Sequence, residues 1–314
     1  MKRWLLALAL VMRGTALDAQ APIDSTTTFR SGVDIVALHV VVTDAQHKLV
    51  MGLTANDFAV FEDGVRQDVS FFGSAHVPLD LAILLDTSSS MMDRIRMVQD
   101  AAVGFASALR PGDRVSVVDI KGSVRILHPL NGDIAAAYDA IRRTVAGGNT
   151  ALYNGLYLAL KDMMNARRQN GEVRRQAIVV LSDGDDTASL VSVDDIMETT
   201  KQAGVAVYTI TLRPAYGLPP AGGGYGHFSQ SEYVMKALAQ ETGALAFLST
   251  DIAELAGVYS LITQELASQY VLGYTSKNPA RDGSFRRVSV RVPGMRARTR
   301  SGYLAPRLDR PAFR

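Results

Sequence analysis

Leu81-Ala82-Ile83-Leu84-Leu85-Asp86-Thr87-Ser88-Ser89-Ser90 decides the reading of this chain. Its first half is apolar at every position, as a strand buried on both faces requires. Its second half is a short run of oxygen-bearing side chains. Met91, Ile95, Val98, Ala102, Phe105 and Leu109 follow at spacings of three and four, an amphipathic helical stripe that Pro111-Gly112 ends. A buried strand, a polar loop and a helix in that order form one unit of a parallel sheet.

Outward from this unit the pattern repeats. Val115–Val118, Ile178–Leu181 and Val205–Ile210 read as further buried strands, and helical stretches fall near 134–142, 151–166, 193–203, 232–242 and 252–268. The expected fold is α/β, a doubly wound and mainly parallel sheet with helices on both faces, over residues 79–268. The flanks differ. From Phe29 to Phe72 and again over Tyr270–Tyr274, Arg286–Val292 and Arg296–Tyr303 the runs are short and strand-like. Glu62-Asp63-Gly64 separates Phe58–Val60 from Val69–Phe71 as a hairpin, and Arg281-Asp282-Gly283 reads as a hairpin turn between Tyr270–Tyr274 and Arg286–Val292. Few strands bury little area alone. The segments 22–78 and 269–305 are therefore expected to pair into one β-sandwich, with the central domain inserted between its halves. The last central helix, near 252–268, would run directly into the strand at Tyr270.

Composition bounds the function. Of 314 residues, 47% are apolar and 20% charged, which suffices for a sizeable core. The formal charge is +2, and residues 1–19 hold Lys2, Arg3 and Arg13 against Asp18, so the remainder is near neutral. That argues against a nucleic-acid surface. No cysteine is present, which excludes thiolate metal sites, disulfides and a cysteine nucleophile. Lys2 and Arg3 precede the apolar run Trp4–Met12, and Ala19-Gln20-Ala21 offers a cleavage site after Ala19 or Ala21. Residues 1–21 read as an export signal, too short in its apolar part to span a bilayer. A periplasmic or secreted location follows. The tail 306–314 reads as a frayed end, and the Pro- and Gly-rich stretch 212–231 as a surface loop.

Ligands of an open parallel sheet gather outside the carboxyl ends of its strands. Asp86, Ser88 and Ser90 leave the strand at Leu81–Leu85 on that edge. Asp183 leaves the strand Ile178–Leu181 there too, and Thr150 follows Gly147-Gly148-Asn149 at the start of a helix. Singly, each has a structural reading: Ser90 as N-cap of a helix starting at Met91, Thr150 as cap of its own helix, Asp183-Gly184 as a turn. Together they are five oxygen donors from three loops, which describes a hard-cation site for Mg2+, with Mn2+ or Ca2+ as substitutes. Asp185 and Asp186 read as a solvated acidic turn beside it, and the pairs Arg167-Arg168 and Arg174-Arg175 as solvated charge.

Asp86-x-Ser88-x-Ser90, Gly147-Gly148-Asn149-Thr150 and Leu181-Ser182-Asp183-Gly184 resemble the metal-ion-dependent adhesion site of von Willebrand factor A domains. Leu53-Thr54-Ala55-Asn56-Asp57-Phe58 and Tyr270-Val271-Leu272-Gly273-Tyr274 are similar to an exported, acidobacterial-type group of such proteins. The resemblance implies direct binding of the ion by Ser88, Ser90 and Thr150, with Asp86 and Asp183 bound directly or through water. It implies a protein partner that adds an Asp or Glu carboxylate, and a last helix that shifts with ligand. A structural scaffold, and a hydrolase using metal-activated water, are the alternatives. The hydrolase lacks a histidine near any of the three motif segments, and the chain has no Gly-x-Ser-x-Gly or His-Glu-x-x-His motif.

Overall fold

The computed structural model describes residues 35–74, 77–170, 173–183, 186–212, 230–249 and 251–307. The proposed export signal, Gly184, Asp185, most of the 212–231 loop and the end of the tail lie outside these residues. Among the described residues no helix is long and apolar enough to cross a membrane.

The chain enters through β1 (Ile35–Thr43), β2 (Ala59–Glu62), β3 (Val65–Gln67) and β4 (Val69–Gly73). Then β5 (Leu79–Asp86), α1 (Ile95–Ala106), β6 (Arg114–Ile120), β7 (Arg125–Asn131), α2 (Ile134–Arg142), α3 (Leu152–Asn170) and β8 (Arg175–Ser182) follow. The central unit ends with α4 (Val193–Ala203), β9 (Ala206–Leu212), α5 (Gln230–Thr242), β10 (Ala246–Ser249) and α6 (Leu255–Ser268). Four further strands close the chain: β11 (Tyr270–Thr275), β12 (Phe285–Arg291), β13 (Arg296–Arg298) and β14 (Gly302–Leu304).

The central sheet runs β10-β9-β8-β5-β6-β7, parallel throughout except for the antiparallel edge strand β7. Strand alternation divides its core in two. Leu81, Ile83 and Leu85 pack with Val98, Phe105, Ile141, Tyr259 and Ile262 of α1, α2 and α6 on one face. Ala82 and Leu84 pack with Leu156, Leu160, Met163, Ile196 and Leu238 of α3, α4 and α5 on the other. Each fully buried Leu or Ile contributes roughly 1.5–3 kcal/mol relative to exposure. Every residue of β5 is buried, which is why its sequence shows no polar alternation.

The flanking strands form two four-stranded sheets, β13-β1-β11-β4 and β14-β12-β2-β3, across a shared core that includes Leu38, Val40, Val60, Leu272, Tyr274, Val288 and Val290. N-terminal and C-terminal strands pair in both, with β1 on β11 (Leu38 opposite Leu272) and β2 on β12 (Val60 opposite Val290). Only Gln269 separates α6 from β11.

Several local expectations are corrected. Asp63 (φ 47°) and Gly64 (φ 84°) do form a hairpin turn, but it joins β2 to β3, and β4 crosses to the other sheet. β11 and β12 also lie in different sheets, so Arg281-Asp282-Gly283 is part of a crossing and not a hairpin turn. The run 296–303 is two strands, one in each sheet. The first central helix begins at Ile95, four residues later than the hydrophobic stripe, after a 3-10 turn over Ser89–Met91. Arg174 and Arg175 are not solvated. Arg174 Nε donates to Asp80 at 2.7 Å, and buried Arg175 donates from Nε to the Val77 carbonyl at 2.7 Å.

Candidate metal centre

Asp86 is the last residue of β5 and is fully buried. Its Oδ1 accepts the Ser88 N–H at 2.9 Å, and its Oδ2 accepts the Ser182 hydroxyl at 2.6 Å from the neighbouring strand β8. The backbone that turns out of the strand thus clamps its own carboxylate. Ser88 Oγ and Ser90 Oγ are 3.0 Å apart, and Ser90 Oγ donates to Asp183 Oδ1 at 2.7 Å. Four of the five expected donors therefore form one hydrogen-bonded chain across the carboxyl ends of β5 and β8.

Ser90 caps no helix, because it lies inside the 3-10 turn and α1 starts with Arg94 as its N-cap. Its hydroxyl is left for Asp183. Thr150 is buried and held by its backbone, its N–H donating to Thr187 Oγ1 at 3.0 Å and its carbonyl accepting from the Thr187 and Ala188 N–H groups. The preceding loop is tied to Asp86–Ser90 by Ser89 N–H to the Gly148 carbonyl (3.0 Å) and Gly147 N–H to the Thr87 carbonyl (2.8 Å). Gly148 takes φ 80°, a conformation that suits glycine. Backbone bonds bring Thr150 to the same edge, while its hydroxyl does not belong to the side-chain hydrogen-bond chain.

Burial raises the Asp86 carboxyl above the usual carboxylate range; bonds from Ser182 and Ser88 oppose the rise, and the charge of Asp183 adds to it. Arg94 Nη1 stands 3.7 Å from Asp183 Oδ2, and the site runs from buried Asp86 to exposed Ser90. The fit to a small divalent ion rests on spacing. Oxygens held at about 2.0–2.1 Å around an octahedral ion stand roughly 2.9 Å apart, and the Ser88–Ser90 and Ser90–Asp183 distances of 3.0 and 2.7 Å bracket that value. Among the described residues no group of three His, Cys, Asp or Glu converges anywhere, so a nitrogen- or thiolate-rich site has no candidate there.

Three features escaped the sequence reading. Ser182, next to Asp183, orients Asp86. Asp119 accepts the Thr87 hydroxyl and stands 3.3 Å from Lys121 Nζ, bracing the loop from β6. Asp186 is not a solvated turn residue: its Oδ1 accepts the Ser189 hydroxyl (2.6 Å) and the Tyr153 N–H (3.3 Å) at the start of α3. Only Ser182 had a local signal, its position beside a candidate ligand at the end of a buried strand.

Residues 80–260 match the family model of the von Willebrand factor type A domain. A UPF0353 protein of Mycobacterium leprae is 26% identical over 209 residues, 62% of this chain and 62% of that protein. A UPF0353 protein of Mycobacterium tuberculosis is likewise 26% identical over 209 residues, with the same shares. The chain thus spans 62% of the length of these curated relatives. Among solved structures, a von Willebrand factor type A protein from Catenulispora acidiphila is similar over 90% of this chain and 76% of that one, with a TM-score of 0.50 at 13% identity. That likeness is one of fold.

Proposed function

This chain belongs to the von Willebrand factor type A domain family, and from that membership we propose that it is a metal-dependent protein-binding module. The observation that carries the reading is the chain of oxygens Asp86, Ser88, Ser90 and Asp183 at the carboxyl edge of the sheet. Those residues, with Thr150, would hold a divalent ion, Mg2+ first and Mn2+ or Ca2+ as substitutes. Such an ion would offer an open coordination position to an Asp or Glu carboxylate of a partner protein.

The chain's own residues supply the rest. Ser182 and the Ser88 N–H fix Asp86, so its carboxylate is preorganised. The hydroxyl ligands add no negative charge, so two carboxylates balance a divalent ion and leave it attractive to one more anion. Met92, Val145 and Leu190, on the loops that follow Ser90, precede Gly147 and follow Asp183, are 62%, 69% and 95% exposed. Exposed apolar side chains on the loops around a polar centre suit a partner whose acidic residue is flanked by apolar ones. Among the described histidines, His39 lies on β1, His47 in the connection that follows it and His128 on the edge strand β7, which favours binding over hydrolysis. We infer export as well, from the charged and apolar start of the chain; N-terminal sequencing of the mature protein tests it.

The test is calorimetric titration of Mg2+ and Mn2+ into wild type and Asp86→Ala, with and without acetate or a Glu-bearing peptide. One saturable ion per chain, lost in the variant and tightened by the carboxylate, is the expected result. No saturable binding under either condition would leave the fold as a metal-free scaffold.

A further inference from the structure

A cleft of about 570 Å3 opens between the β13-β1-β11-β4 sheet and the helices α3 and α4. Arg167 of α3, Gln202 of α4, Asn278 and Arg281 of the β11–β12 connection, Arg286 of β12 and Arg300 all line it. Among the described residues no acidic side chain is in its walls. The described charged side chains on this concave surface are all positive, with Arg286 buried, Arg300 half-buried, and Arg167 and Arg281 exposed.

The arginines are not equivalent. Arg286 is spoken for: Nη1 meets Glu62 Oε1 at 3.3 Å and the Asn278 carbonyl at 2.9 Å. Arg167 donates one Nη2 to the Ala203 carbonyl. Arg300 stacks on the Tyr303 ring at 5.3 Å, and its buried Nε has no hydrogen-bond partner. A Cβ placed on Gly204 would lie 2.7 Å from Arg300 Nη1 and 3.5 Å from Arg167 Nη1, so the two guanidinium groups come together beside the Gly204 backbone. Among the described residues no carboxylate is ion-paired with either, and only the Tyr274 and Tyr303 hydroxyls act on Arg300 in the raising sense. Burial, and next among the lowering influences Arg167, bring Arg300 down to about 10, while burial and then Arg168 lower Arg167. Nearby His39 feels the same field: burial, then Arg300, Arg175 and Arg167, hold its imidazole near about 3.

We propose that this cleft is a binding site for a phosphorylated small molecule, held between the guanidinium groups of Arg167 and Arg300. Two guanidinium groups this close together match a phosphate dianion, whose oxygens serve both, better than a single carboxylate, which fills one fork. The volume falls in the range of small-molecule sites, about 300–1,000 Å3, and exceeds what one inorganic ion needs. Because one arginine comes from the central unit and the other from the flanking strands, the ligand would also tie the two together. The inference is independent of the metal reading, since none of Asp86, Ser88, Ser90, Thr150 and Asp183 lines the cleft.

The experiment is calorimetry on the full chain in EDTA, with inorganic pyrophosphate and with citrate, for wild type, Arg300→Gln, Arg167→Gln and Asp86→Ala. One pyrophosphate per chain is expected, bound more tightly than citrate, at least tenfold weaker in each Gln variant and unchanged in Asp86→Ala. Absence of saturable binding, equal affinity in the Gln variants, or tighter citrate binding would overturn it. Should the Gln variants fail to fold, phenylglyoxal labelling of wild type decides: pyrophosphate must protect Arg300 and Arg167, and labelling that pyrophosphate leaves unchanged would reject the site.

Discussion

Ser90 Oγ donates to Asp183 Oδ1 across 2.7 Å, joining loops that stand 93 positions apart in the chain. The bond replaces the helix cap that Ser90 would otherwise make. It also ties Asp183 to the hydroxyls that lead back to Asp86, whose carboxyl is raised by burial first and further by the charge of Asp183. A divalent ion there would compete with these hydrogen bonds for the same oxygens. Asp183→Ala should therefore abolish Mg2+ binding while the fold persists, because Asp86 keeps both of its own bonds. Calorimetry beside circular dichroism checks this, and loss of the fold together with binding would refute it.

Ser182 donates its hydroxyl to Asp86 Oδ2 at 2.6 Å and so orients that carboxylate from β8. Ser182→Ala should weaken metal affinity by about 10–100-fold, the usual cost of losing an outer partner of a ligand. The wild-type stoichiometry should be kept. An affinity within twofold of wild type would mean that the Ser88 N–H alone positions the carboxylate.

The parallel sheet was legible because its inner strands are buried on both faces and read as unbroken apolar runs. Its edges were not. β7, with Pro129 and mostly half-exposed side chains, and β10, with alternating exposure, carry too weak a pattern. In the flanking strands the alternation was visible, but alternation says which face is inward and not which sheet a strand joins. That is why 296–303 read as one strand and 281–283 as a hairpin turn. At the candidate metal centre local spacing pointed to five donors, of which hydrogen bonds join Asp86, Ser88, Ser90 and Asp183. Arg94 near Asp183 and Thr187 against Thr150 are contacts through space, and no spacing encodes them.

Inside the sandwich, Glu62 is 2% exposed and accepts from Tyr274 and Tyr303 hydroxyls, each at 2.9 Å, besides facing Arg286. Removing one member of a buried ion pair strands the other charge. Glu62→Leu should lower unfolding free energy by about 3–5 kcal/mol in urea titration, and the double variant Glu62→Leu with Arg286→Met should recover part of that loss. A double variant no more stable than the single would assign the cost to the tyrosine hydroxyls.

His39 is held near about 3 from an ordinary 6.5, by burial first and then by Arg300, Arg175 and Arg167. The unfolded chain therefore binds a proton that the folded one refuses across that interval. His39 contributes its full stability above pH 6.5 and loses it as the pH falls toward 3, with a slope of at most about 1.4 kcal/mol per pH unit. His39→Gln should flatten the decline in melting temperature between pH 6.5 and 5. Parallel curves for variant and wild type would show that the imidazole protonates freely in the folded protein.

Gly243 ends α5 with φ 73° and lies against the flanking strands so closely that a Cβ would sit 2.3 Å from the Thr299 carbonyl carbon. Ser301 N–H donates to the Glu241 carbonyl at 3.0 Å just beside it, so this is where the central unit and the sandwich meet backbone to backbone. Neither the left-handed φ nor the space tolerates a side chain. Gly243→Ala should cost about 1–3 kcal/mol, the usual penalty of forcing atoms into a packed contact. The loss should appear first as raised hydrogen exchange in β13 and β14, because their anchor to α5 is what the methyl group displaces. Exchange that rises instead throughout the central sheet, with β13 and β14 unchanged, would show that the glycine serves only to end the helix.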